Sequence, residues 1–137
     1  MGLSQQKFRE IVFQLLYSYD MGQNAREDMI SLITKELRVS KQIVSAAQDR
    51  VDAVVGRLEE IDAHLTSASQ SYDFARIQMV ERNILRLAIF ELLYESSIPA
   101  KVVIAEAVRL ARKFSTPESA SFVNAILDHL WKREGGG

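Results

Sequence analysis

The chain is 137 residues long, 47% apolar and 26% charged, with 17 basic and 18 acidic side chains and no cysteine. That length suits one compact domain, and the missing cysteine excludes disulfides and thiolate metal sites. No apolar stretch approaches the ~18 residues needed to span a bilayer, and the start MGLSQQKF has no signal-peptide apolar region, so the expected location is the cytoplasm. The net charge of −1 offers no global field for nucleic acid, so any RNA contact has to come from a local patch.

Turn chemistry is scarce. Gly135 to Gly137 read as a flexible tail after a domain spanning 1–134, and between Leu3 and Glu134 the only glycines and prolines are Gly22, Gly56, Pro99 and Pro117. So few breakers exclude a fold of many short strands and predict an all-α protein, a single compact bundle of six to seven helices.

The first helix is predicted from Ser4 to Met21, with Phe8, Ile11, Val12, Leu15, Leu16 and Tyr19 on one face, Ser4 as N-cap and Gly22 as a left-handed stop. A second covers Ala25 to Leu37, turning Met29, Leu32, Ile33 and Leu37 inward. Ser40 opens a long third segment whose apolar positions run from Ile43 to Leu65, with Gly56 inside it as a site of close packing or a bend. The polar stretch 66–75 is the main loop. The fourth helix, Arg76 to Tyr94, buries Ile77, Val80, Ile84, Leu87, Ala88 and Leu92. The fifth runs from Pro99 to Phe114 with Ile104, Ala107, Val108 and Ala111 inward. In STPE, Thr116 is an N-cap, Pro117 the first helical residue and Glu118 a match for the positive helix end. Phe122, Val123, Ile126, Leu127, Leu130 and Trp131 then form the face of the last helix.

Catalytic motifs are absent. There is no phosphate-cradling glycine loop, dinucleotide fingerprint or HExxH, and no Glu-x-x-His of the kind that builds two-metal sites in bundles. His64 and His129 are far apart in sequence and neither has an obvious metal-ligand companion at helical spacing, and Glu59, Glu60 and Asp62 read as a solvated acidic face. The chain is therefore expected to be no enzyme and to hold neither metal nor cofactor. One local feature departs from neutrality. Between Pro99 and Ser115, Lys101, Arg109, Arg112 and Lys113 stand against Glu106 alone, four positive charges minus one negative, or +3. At about 100° per residue they share an arc of about 120° on the exposed flank of their helix. Such a flank serves solubility or binds phosphates, and Phe122 is the nearby ring on which an unstacked base could rest if it does not belong to the core. On the preceding helix Arg76, Glu81, Arg82, Arg86 and Glu95 alternate in sign, as on a solvated face or a protein-binding rim.

The stretch 80–130 closely resembles the bacterial transcription antitermination family NusB. The resemblance lies in the ILRLAIFEL run from Ile84, the IPAKVVIAEAVRLARKF run from Ile98 and the FVNAILD run from Phe122; REIVFQLLYSYD, residues 9–20, resembles the family's first helix, and Asp62 falls at its Leu-Asp pair. The resemblance implies a NusB-like, non-enzymatic helical factor that pairs with the ribosomal protein NusE and binds single-stranded boxA RNA of ribosomal RNA leaders. That pair joins RNA polymerase with NusA and NusG. Carried over residue by residue, it implies Arg9, Lys113 and Phe122 at the RNA surface, with Lys101, Arg109 and Arg112 as electrostatic support. Tyr17, Glu81 and Glu118 become partner contacts, Glu118 at an acidic position tied to antitermination. The family's N-terminal arginine run is reduced to Lys7 and Arg9, and Ser115, Ala105 and Ala125 replace a usual Gly, Asn and Gly. Phosphate attraction is then weaker, and dependence on the ribosomal partner greater. The RNA-binding helical domain of a ribosomal-RNA cytosine methyltransferase and a protein-only helical adaptor are the other readings, and a second copy of the chain, forming a homodimer, is a further candidate partner.

Overall fold

A computed structural model describes residues 4–36, 38–69 and 77–134, and all regular structure among them is helical. The seven helices among the described residues are α1 (Gln5–Met21), α2 (Gln23–Glu36), α3 (Lys41–Val55), α4 (Leu58–Ala68), α5 (Met79–Tyr94), α6 (Ala100–Phe114) and α7 (Pro117–Arg133). They sort into two compact units that divide after Gly56, α1–α3 and α4–α7. The expected glycine tail, Leu37, and the loop positions 70–75 with the predicted helix start Arg76 lie outside the described residues.

In the first unit α1 packs against both α2 and α3. Ser4 caps α1 by accepting from the Lys7 amide at 3.1 Å, and Ser40 caps α3 by accepting from the Ile43 amide at 3.2 Å. Ile11, Val12, Leu15 and Leu16 are buried as the spacing predicts, each contributing about 1.5–3 kcal/mol. Tyr19 and Leu32, expected inside, are exposed, while Phe13 is buried. Gly22 does end α1, but at φ 129° and ψ 168° rather than in the left-handed helical region. That conformation is almost confined to glycine, and it lets α2 begin at the very next residue.

The long third segment of the sequence is two helices. The Gly56 amide donates to Asp52 O at 2.9 Å and closes α3, and the Ile61 amide donates to Arg57 O at 2.9 Å and starts α4. Apolar spacing runs through this interruption because Val51, Val54, Ile61 and Leu65 are all buried, so periodicity alone could not reveal it. α4 also continues through Thr66 to Ala68, positions assigned to the loop by composition.

In the second unit α5 packs against α4, α6 and α7 and is buried along 83–92. A helix enclosed all round is the centre of its unit. Arg86, expected on a charged outer face, is one of its buried residues. Its guanidinium donates through Nε and Nη2 to both oxygens of Asp62, at 2.9 Å each, and through Nη1 to Asn83 Oδ1 at 3.3 Å. Asp62 is thus an ion-pair partner of the core rather than part of a solvated acidic face. Glu60 is likewise engaged, accepting from the Tyr94 hydroxyl at 2.7 Å, while the Arg57 guanidinium lies 4.1 Å from the centre of the Tyr94 ring.

The buried stripe of α6 is Val103, Glu106, Ala107, Leu110 and Ala111. Ile104 and Val108, predicted inside, are only half-buried. Apolar residues cover more than half of this helix, so two settings of the stripe fit the same spacing. The observed one encloses Glu106, which accepts from Arg109 Nε and Nη2 at 3.1 Å each.

Candidate RNA and partner interface

Two helix beginnings make the first concave feature. Thr116 caps α7 by accepting from the Ser119 amide at 3.1 Å, with Pro117 at the start of the helix. This turn sets Glu118, Ser119 and Phe122 opposite Ile77, Gln78 and Glu81 at the start of α5, around a cleft of about 340 Å³. Ser119, itself buried, donates its hydroxyl hydrogen to Glu81 Oε2 in a short hydrogen bond. The Ser115 hydroxyl lies 2.8 Å from that of Ser119, and because Ser119 has already given its hydrogen, Ser115 is the donor. The chain Ser115 to Ser119 to Glu81 therefore holds one oxygen of the carboxylate at the cleft wall.

The cleft brings together residues that sequence reading assigned to different tasks. Phe122, expected at RNA, and Glu81 and Glu118, expected at a protein partner, line one concavity. It can accept a flat apolar group against the half-buried ring and satisfy amino or imino donors at its rim. Gln78, Thr116, Ser115 and Ser119 were missed. The cap signal in STPES locates Thr116, but the reach of Ser119 to Glu81 joins positions 38 apart, and nothing in local sequence announces it.

The four cations of the predicted basic face lie on α6 but differ in their surroundings. Lys101 and Arg112 are exposed and line a second concavity between α6 and α7. Arg109 is partly covered, and its charge is matched by Glu106 at 3.1 Å. Lys113 is exposed, with its ammonium 5.7 Å from the centre of the Phe114 ring. None of the four lines the cleft of Phe122. In the α1–α3 unit, Tyr17 is half-buried, its ring 6.2 Å from that of Phe13. Arg9 departs from expectation, with 7% of its surface exposed, and a guanidinium so enclosed is not presented to a phosphate. Lys7, exposed at 41% and 3.6 Å from Glu10, is the more accessible N-terminal cation. Among the described residues no group of His, Asp or Glu is arranged to hold a metal, and no helix is long and apolar enough to cross a membrane.

Comparisons with known proteins agree on one family. The model of the NusB family matches residues 6–132. The transcription antitermination protein NusB of Chlamydia pneumoniae is 35% identical over 93% of this chain and 79% of its own length. That of Geobacter sp. (strain M21) is 38% identical, covering 89% of this chain and 90% of its own. Among solved structures, T. maritima NusB superposes with a TM-score of 0.80 at 30% identity over 96% of this chain and 93% of that one. A crystal structure of antitermination factors NusB and NusE in complex with dsRNA superposes with a TM-score of 0.80 at 28% identity, over 94% and 96% of the two chains.

Proposed function

The chain belongs to the NusB family, and from that premise we propose that it is a transcription antitermination factor acting by recognition alone, with no bond made or broken. It binds boxA RNA of ribosomal RNA leader transcripts together with the ribosomal protein NusE. The pair then joins the antitermination complex on RNA polymerase with NusA and NusG, in the cytoplasm. The matched span crosses both helical units, which supports reading 6–132 as one functional domain. The likeness to a NusB–NusE–RNA complex supports the choice of partners, and the matched antitermination proteins favour this reading over a methyltransferase domain or a protein-only adaptor.

The observation that carries the mechanism is the cleft in which Phe122 stands beside Glu81 and Glu118. A ring at the edge of a partner-contact site lets one base of single-stranded RNA stack where NusE also docks, so that each ligand completes the other's surface. Lys113, exposed at the end of α6, supplies phosphate attraction, and Arg109, with its charge largely cancelled by Glu106, supplies less.

The test is binding of a boxA oligonucleotide and a scrambled one of equal length, each with and without NusE. Preference for boxA is expected, stronger with NusE. Phe122→Ala with Lys113→Ala should weaken boxA binding at least about tenfold, since one stacked base is worth about 1–3 kcal/mol, while circular dichroism stays helical. Equal affinity for the two oligonucleotides in the presence of NusE would remove the proposal.

A further inference from the structure

The second concavity, between α6 and α7, has a volume of about 490 Å³ and is not used by the function proposed above. Its floor is the half-buried aliphatic pair Ile104 and Val108, one turn apart on α6. Small residues, Ala105 on one wall and Ala120 and Ser121 on the other, keep it open.

Lys101 and Arg112 stand toward the two ends. They are 11 positions apart, which is three turns or ~16.5 Å along the helix, and the same number of residues returns to within about 20° of one face. Among the described residues neither has a hydrogen-bond or ion-pair partner. Among the described residues the other cations of the α4–α7 unit are engaged: Arg57 with Glu60, Arg86 with Asp62, Arg109 with Glu106, Lys132 with Asp128, Arg133 with Ser67, and Arg82 and Lys113 with partners of their own. An aliphatic trough three turns long, with an unmatched positive charge toward either end, is complementary to an amphipathic helix carrying aliphatic residues between two acidic ones. It is a poorer match for single-stranded RNA, because none of its lining residues is aromatic and only the Arg112 guanidinium offers a plane on which a base could stack.

We propose that the α6–α7 groove docks one acidic amphipathic helix of a protein partner, seating its apolar face on Ile104 and Val108 and pairing two carboxylates, about eleven residues apart, with Lys101 and Arg112. The site is separate from the Phe122 cleft, so the helix binds without displacing boxA RNA.

Nuclear magnetic resonance titration of the isotope-labelled full chain tests this with three peptides of about 16 residues. All carry leucine along one face. The first has glutamates ~11 residues apart, the second has lysines in their place, and the third has glutamates ~7 apart. The first is expected to shift the amide signals of Ala105, Val108 and Ser121 and to bind about tenfold more tightly than either other peptide. Lys101→Glu with Arg112→Glu, both at exposed positions, should abolish that preference with helicity unchanged. Ser121→Trp, also exposed, should block the groove without altering its charge. Absence of shifts, indifference to glutamate spacing, or binding that survives both variants overturns the proposal. Loss of boxA affinity in the double charge variant, with no peptide bound, would assign the groove to RNA instead.

Discussion

Ser119 has one hydroxyl hydrogen, and giving it to Glu81 leaves its oxygen free to accept from Ser115. The carboxylate is held from behind, so a partner meeting Glu81 finds it already oriented. Ser119→Ala removes a buried donor to a charged group, and a hydrogen bond of that kind is worth about 1.5–3 kcal/mol. NusE affinity measured by calorimetry should fall about tenfold or more while boxA-independent helicity is retained; an unchanged affinity would show that the orientation of Glu81 has no bearing on the partner. A different hydroxyl reports on the start of the second unit. The Tyr94 phenol titrates above its ordinary value, first because it donates to Glu60, then through partial burial and the Glu60 charge, with Arg57 opposing. A pKa higher in the folded than the unfolded chain favours folding at pH below the unfolded value of about 10, and this contribution is lost as pH rises through the raised value. Glu60→Gln should bring the phenolate absorbance transition, isolated by difference against Tyr94→Phe, to lower pH.

At the scale of elements, the ends of helices were more legible than their inner faces. Ser4, Ser40 and Thr116 cap where their side chains and positions predicted, because capping is decided within three residues. The break at Gly56 was hidden by buried residues on both sides of it. The face of α6 was ambiguous because its apolar residues are too many to define one stripe. Arg86 was misplaced for a different reason, since its partner Asp62 lies 24 positions away and a lone arginine reads as surface. That pair fixes α4 to α5 at the heart of the second unit. Removing one partner of a buried ion pair typically costs 3–5 kcal/mol, and Asp62 retains 25% exposure, so Asp62→Ala should destabilise by about 3 kcal/mol in urea unfolding. A loss below 1 kcal/mol would mean that water reaches Arg86 and replaces the carboxylate. The candidate site was half-legible in the same sense: Phe122, Glu81 and Glu118 were named from family resemblance, but their convergence on one cleft is a property of the turn before α7.

For the molecule as a whole, a net charge of −1 limits what long-range attraction can do. Each phosphate neutralised on single-stranded RNA contributes about −0.7 to the slope of log affinity against log salt. With Lys113 and a largely neutralised Arg109 as the contacts proposed for RNA, the chain alone should give a slope no steeper than about −1.4. Adding NusE should steepen it, by an amount that counts the partner's own phosphate contacts. A slope near −4 for the chain alone would point to cations that the proposed surface omits. On the function proposed above, specificity then comes from the cleft, where stacking on Phe122 is short-ranged and depends little on salt.

The interruption at Gly56 and Arg57 separates two sets of helices, and both residues are exposed. Added residues at such a point meet no packed side chain, and the helix ends on either side are closed by their own backbone hydrogen bonds. The seam is therefore a place where the length of the chain can change by insertion, leaving the packing within each set of helices as it was.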